Sequence, residues 1–224
     1  MKKNIFREYS IFTSPLYRLV MWLLIPGCQI GGAFVMKDNL DILRNVGLPQ
    51  DDFATGMIVF AILLPAVLSV FIEPLSDIFF MKSVERKKIG GMVYLNSSSK
   101  GRGFFESAVI IDALRKLLVN GSIFLVMYFG LFDGLNLDIC RYVTIFITLL
   151  GFLCLGLYLS RMGGTFMISV MSSLLLLYVY AGYIIVSFML PGWVDVLAIV
   201  LSCVIIVFYF FDIHKKLERS YFDE

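Results

Sequence analysis

This sequence predicts an all-α polytopic membrane protein with six transmembrane helices and both termini in the cytoplasm. Three observations lead there. Six long apolar stretches, at 17–36, 53–72, 112–132, 142–160, 165–188 and 193–211, each hold about the 17 to 25 residues that a helix rising ~1.5 Å per residue needs to cross a hydrocarbon core of ~30 Å. Of the 19 Lys and Arg residues, 16 fall in segments that this threading puts on one side of the membrane. The opposite connections hold only Lys37, Arg44 and Arg141, beside Asp38, Asp41, Asp51, Asp52, Asp133, Asp138 and Asp195. Finally, 59% of residues are hydrophobic and the mean hydropathy is +0.88, more apolar surface than a soluble fold of 224 residues can hide.

A net charge of +2 then reflects sidedness and not nucleic-acid affinity, since the basic residues sit where anionic inner-leaflet lipids or a cytoplasmic partner would meet them. No nucleic acid is expected as a partner. Cys28, Cys154 and Cys203 fall inside spans and Cys140 at an outer edge, so there is no CxxC, no metal spacing and no disulfide framework. The expected location is the cell membrane, that of a bacterial cytoplasm. The whole chain reads as one transmembrane domain.

Residues 1–16 bring Ile5, Tyr9 and Phe12 to helical spacing while Lys2, Lys3, Arg7 and Glu8 take other faces. This suits an amphipathic helix lying on the inner membrane surface; a frayed polar tail is the alternative. Ser14-Pro15 is a good helix start, because a serine oxygen can cap free amides and proline tolerates the first turn. No small-residue cleavage site follows, so the first span is expected to remain as a transmembrane helix.

Residues 17–72 carry spans one and two. The first is unusual in holding Pro26, Gly27, Gln29, Gly31 and Gly32. Pro26 frees a backbone carbonyl that Gln29 or a neighbouring helix can satisfy, and the small-xxx-small pair Gly27 and Gly31 lets another helix approach closely. A kinked helix packed on its neighbours explains the pattern more simply than a substrate site, and this span is expected nearest a subunit interface. After the second span, Glu73 and Asp77 are four residues apart at the inner boundary. Such a carboxylate pair can carry protons or bind a cation, but hydrogen bonding to Lys82 or Arg86 is the favoured reading.

Residues 82–111 form the only sizeable soluble piece. Lys82, Arg86, Lys87 and Lys88 are a stop signal after span two, suited to lipid headgroups. Ser97 to Gly103 are rich in Ser and Gly and predict a turn, after which Phe104-Phe105 begins a segment running into Asp112, Arg115 and Lys116. Two adjacent aromatics in a polar loop need a surface to cover them.

Spans three to six occupy 112–211, with the short links Gly163-Gly164 inside and Pro191-Gly192 outside making spans four to six antiparallel neighbours. Trp193 suits an interfacial belt. Tyr178, Tyr180 and Tyr183 can line an amphipathic path, although packing with satisfied hydroxyls is the commoner role. Residues 212–224 form a short charged cytoplasmic tail.

The chain shows little enzyme chemistry. Its one histidine, His214, lies beside Lys215 and Lys216 at a helix end, and there is no GxSxG, HExxH or P-loop. Asp133-Gly134 lacks the further aspartates of a two-metal cluster. Spans three to six hold no charge near the midplane, which disfavours a secondary transporter. No catalytic residue, metal or cofactor is expected in this chain.

The architecture, with a surface helix before span one and a basic inner loop between spans two and three, resembles the integral membrane subunit of ABC exporters of the second type. The segment Leu95-Asn96-Ser97-Ser98-Ser99-Lys100-Gly101-Arg102-Gly103-Phe104-Phe105 looks like the short helix that such permeases insert into their ATPase partner. The resemblance implies that Ser98, Ser99, Lys100, Arg102, Phe104, Phe105 and Glu106 form a coupling segment. It also implies a cytoplasmic P-loop ATPase subunit that binds ATP and Mg, and a second permease copy or a related permease. Many relatives carry re-entrant half-helices between spans five and six; here Pro191-Gly192 leaves room for them only if the fifth stretch is broken near Gly182. A small membrane scaffold that recruits a partner without moving a substrate is the alternative, and copurification with an ATPase separates the two.

Overall fold

The computed structural model describes residues 15–46, 52–75, 99–132, 139–162 and 166–219. The described residues form helices joined by turns, with no strand: α1 (Pro15–Leu19), a π-helical turn (Val20–Leu24), α2 (Ile25–Val46), α3 (Asp52–Val67), α4 (Ser99–Phe132), α5 (Ile139–Met162), α6 (Phe166–Ser187) and α7 (Trp193–Arg219). Five segments are long and apolar enough to cross a membrane: Pro15–Val35, Phe53–Leu75, Ile139–Leu159, Val170–Ser187 and Trp193–Asp212. Helix α4 is not among them, and its described stretch carries Asp112, Arg115 and Lys116. The amino-terminal stretch 1–14, Asp77, the basic run 82–88 and Ser98 lie outside the described residues.

Ser14 lies outside the described residues; the first described helix, from Pro15, is longer than its apolar stretch. With α2 it continues to Val46, so Lys37, Asp38, Asp41 and Arg44 are helical and not part of a loop. Thirty-two residues rise about 48 Å, well beyond a hydrocarbon core of ~30 Å. The π turn marks the buried face: Pro26, Gln29 and Ala33 follow ordinary helical steps, whereas the step back to buried Met21 is five residues. One extra residue has been accommodated in that turn.

Helix α3 is the centre of the bundle, packing on α2, α4 and α6. Its Val59, Ile62, Leu63, Ala66 and Val70 meet Ile123 and Met127 of α4, Ile145 and Leu149 of α5, and Tyr180 and Ile184 of α6 in one core. Pro65 is inside α3, and the helical ladder is interrupted at Leu68 before continuing over 69–75. Helix α5 packs along both α6 and α7.

Close approaches occur at glycines, though not at the pair the spacing suggests. A Cβ on Gly56 would lie 2.2 Å from the Ile185 carbonyl oxygen, one on Gly151 2.7 Å from Ser202 Cβ, and one on Gly156 2.8 Å from Pro74 Cγ. These fix the α3–α6 and α5–α7 crossings and the seat of Pro74 against α5. At Gly27 and Gly31 no atom of the described residues beyond the local helix lies within 4 Å of such a Cβ. Among the described residues that face is open.

Two further expectations meet the structure here. The Ser/Gly-rich stretch is helical from Ser99 onward, through Gly101 and Gly103, where a turn is predicted. Each interior glycine costs about 1 kcal/mol relative to alanine, a cost offset by a helix that continues into a packed core. Helix α6 runs unbroken through Gly182, and its link to α7 is held by Arg141 of α5. Arg141 donates to the Phe188 and Leu190 carbonyls, both at 3.1 Å, and lies 3.6 Å from Asp195. It thereby satisfies carbonyls that a helix end leaves without partners.

Candidate functional site

Among the described residues four charged side chains meet in a buried node near one end of the bundle. Glu73 comes from the end of the second span, and Asp112, Arg115 and Lys116 from α4. Their relative exposures are 0%, 2%, 1% and 5%, so all four are removed from solvent. Isolated charges this deeply buried cost several kcal/mol each, and a pair repays that only with good geometry and complete hydrogen bonding.

The geometry meets that demand. Arg115 grips Glu73 bidentately, Nη1 to Oε1 at 3.0 Å and Nη2 to Oε2 at 2.5 Å, the planar fork matching the planar carboxylate. Asp112 receives Arg115 Nη2 at 3.4 Å and pairs with the Lys116 ammonium one turn on. Lys116 also lies 3.9 Å from Glu73, so both cations reach both carboxylates. Asn120 extends it: its amide donates to the Lys116 carbonyl at 2.9 Å, and its Oδ1 lies 2.9 Å from Ser69 Oγ.

The node reaches span one through the π turn. The Ile25 amide donates to Val20, five residues back, and the next residue, Pro26, has no amide hydrogen. The Met21 carbonyl is therefore left without a donor of its own in the helix. Arg115 Nη1 supplies one at 3.0 Å. Of the two acceptable partners for the carbonyl that Pro26 frees, the neighbouring helix is the one used. Gln29 instead donates to the Pro65 carbonyl of α3 at 3.3 Å.

The expected site residues fare differently. Glu73 pairs across 42 residues with Arg115, where sequence proximity favours Lys82 or Arg86. Ser99, Lys100, Arg102, Phe104, Phe105 and Glu106 lie on the first turns of α4, continuous with the node: from Phe105 to Arg115 is ten residues, about 15 Å of helix. Tyr180 is fully buried with its hydroxyl donating to the Ile145 carbonyl at 2.8 Å, a packing role, while Tyr178 faces outward. Asp112, Arg115 and Lys116, at the start of the 112–132 stretch, are not singled out by the sequence as a site. The signal that marks them is their spacing, since i to i+3 and i to i+4 bring both cations beside Asp112.

Chemically, the node holds no nucleophile, and among the described residues no three His, Cys, Asp or Glu converge as metal ligands. What it does is mechanical: it ties α4 to spans one and two at a single level. Comparison with family models, curated proteins and solved structures finds no match to this chain.

Proposed function

We propose that this chain is the six-span permease subunit of an ABC-type exporter in the bacterial cytoplasmic membrane, with both termini on the inner side. It would move a peptide or amphipathic compound using a separate P-loop ATPase subunit, which binds ATP and Mg, and would work beside a second permease copy or a related permease. In this reading α4 completes the six spans, its charges neutralised in pairs where they enter the membrane. The observation that carries the proposal is the continuity of α4 from Ser99 through the node into the core. A subunit that lacks a P-loop must receive conformational work through contact, and an ATPase biases the membrane helices only by binding two states of a packed element differently. A force applied over 99–106 passes along one helix to Arg115, and from there to the Glu73 carboxylate and the Met21 carbonyl. The re-entrant half-helices of the resembled family have no place in the α6–α7 link, so closure on the outer side falls to the helix ends held by Arg141.

Coupling is tested with Phe104→Ala combined with Phe105→Ala. The double variant is expected to insert and fold, yet to lose ATPase copurification or to hydrolyse ATP without export, because aromatic anchors dominate such interfaces. Unchanged partner affinity together with unchanged transport removes the coupling role and promotes the scaffold reading. Topology is tested separately by Asn45→Cys and Ser99→Cys, each in a background without Cys28, Cys140, Cys154 and Cys203. Labelling of intact cells from opposite sides is expected; same-side labelling ends the six-span threading.

A further inference from the structure

Helix α3 and the segment 69–75 that continues it are fastened to different neighbours. The first is seated on α6, where a Cβ on Gly56 would lie 2.2 Å from the Ile185 carbonyl oxygen. The second meets α4, with Ser69 beside Asn120 and Glu73 in the Arg115 fork, and its Pro74 abuts Gly156 of α5. Between the two the helical ladder breaks at Leu68.

Pro65 does not account for that break. Lacking an amide hydrogen, it forfeits the bond to Ala61, one turn earlier. Beyond it the Leu68 amide still donates to the Leu64 carbonyl at 2.9 Å, but Phe71 turns to Leu68, three residues back, at 3.1 Å, and Ile72 shares that carbonyl at 2.9 Å. Regular winding would give the Pro65 and Ala66 carbonyls to the amides of Ser69 and Val70. Side chains hold them instead: Gln29 Nε2 of α2 donates to Pro65 at 3.3 Å, and Ser69 Oγ to Ala66 at 2.5 Å. Side chains inserted into the ladder in this way bend helices.

Neither side chain is committed to its carbonyl. The Ser69 hydroxyl has a second acceptor in reach, Asn120 Oδ1 at 2.9 Å, and one hydrogen cannot serve both. Gln29 is tied at one end only, since its buried Oε1 has no hydrogen-bond partner among the described residues.

We propose that 65–71 is a two-state segment, broken as in this structure or wound as regular α-helix, in which the Gln29 amide and the Ser69 hydroxyl compete with the Ser69 and Val70 backbone amides for the same two carbonyls. In the wound state the Ser69 amide donates to Pro65, the Val70 amide to Ala66 and the Phe71 amide to Val67, while the hydroxyl hydrogen passes to Asn120. Neither winding strands the contested carbonyls, so contacts at the two ends decide between them. The Arg115 grip on Glu73 holds the broken state. The inference rests on the packing of α2, α3 and α4 and not on ATP-driven export.

Amide hydrogen exchange of the full-length protein in detergent micelles, resolved by NMR, tests this, with the amides of Ile62 and Leu63 as internal reference. Ser69→Ala combined with Gln29→Leu removes both competitors. Exchange at the amides of residues 69 and 70 is then expected to slow several-fold while the reference stays unchanged, because amides drawn into the helical ladder are protected. Gln29→Leu alone leaves the sequence of α3 untouched, which separates competition from helix propensity; it should slow residue 69, and it stands in if the combined variant does not fold. Glu73→Leu should also slow both amides, the opposite of what losing a buried ion pair does to a fixed structure. Unchanged or faster exchange at 69 and 70 in the Gln29 variants, with the reference intact, overturns the two-state segment. Slowing in those variants but not in Glu73→Leu keeps the competition and overturns the hold assigned to Glu73. No nucleotide or ATPase enters the assay, so its failure and that of the exporter reading are independent.

Discussion

Arg115→Met is expected to destabilise the protein by about 3–5 kcal/mol, the cost of leaving a buried carboxylate without its partner. Glu73 is completely buried and takes both Arg115 amino groups, so no solvent is at hand to replace them. Glu73→Leu should cost less, because the guanidinium keeps Asp112 at 3.4 Å and the Met21 carbonyl at 3.0 Å. Combining the two removes one charge of each sign and leaves Asp112 with Lys116, so the double variant should recover much of the loss, as an apolar replacement of a buried pair often does. Thermal unfolding in detergent, followed by fluorescence-detected size exclusion, measures all three. If the double variant is as unstable as the sum of the singles, the two residues are not energetically coupled and the node is not a unit. Arg115→Lys separates the roles further: an ammonium keeps the charge but cannot reproduce the fork that spans Glu73 and the Met21 carbonyl.

Gly56→Ala should be the most damaging of the small substitutions. The added carbon would meet the Ile185 carbonyl oxygen at 2.2 Å and the adjoining backbone atoms at 3.0 Å. Backbone cannot rotate aside as a side chain can, so α3 and α6 must separate, and overpacking of this kind costs about 3 kcal/mol, the upper part of its usual range. Gly27→Ala and Gly31→Ala are the matched controls. Among the described residues beyond the local helix neither meets any atom within 4 Å, so the isolated subunit should keep or gain stability, by up to about 1 kcal/mol of helix propensity per site. A loss of stability in the isolated subunit at Gly27 equal to that at Gly56 would contradict the packing described. If the proposed second subunit docks on that face, the larger substitutions Gly27→Leu with Gly31→Leu should instead weaken assembly while leaving insertion intact.

These contrasts show what a linear reading can and cannot reach. The apolar stretches were legible because a segment crossing lipid must satisfy its backbone internally and present apolar side chains over a fixed length, a requirement each stretch meets alone. The spacing of Gly27 and Gly31 states that a close approach is allowed, but not toward which neighbour; the azimuth of a helix is set by the rest of the bundle. Gly56, Gly151 and Gly156 carry no local signal at all. The partnership of Glu73 with Arg115 spans 42 residues and is decided by tertiary packing, which no local spacing announces. The helical start of α4 was hidden by composition, since Ser and Gly favour turns until a long helix beyond them supplies the cooperativity.

The π turn at Val20–Leu24 makes the facing of α1 an angular quantity that a single residue controls. An α-helix advances about 100° per residue, so removing one residue from this turn would restore regular winding and swing Tyr17 and Arg18 about a quarter turn around the bundle relative to Gln29 and Ala33. Lateral position would hardly change; compass heading would. Arg115, by occupying the Met21 carbonyl, holds the wound state against that alternative. The amino-terminal end of span one is thus aimed by a guanidinium 94 residues away along the chain, and a deletion that looks harmless on a hydropathy plot would re-aim Tyr17 and Arg18.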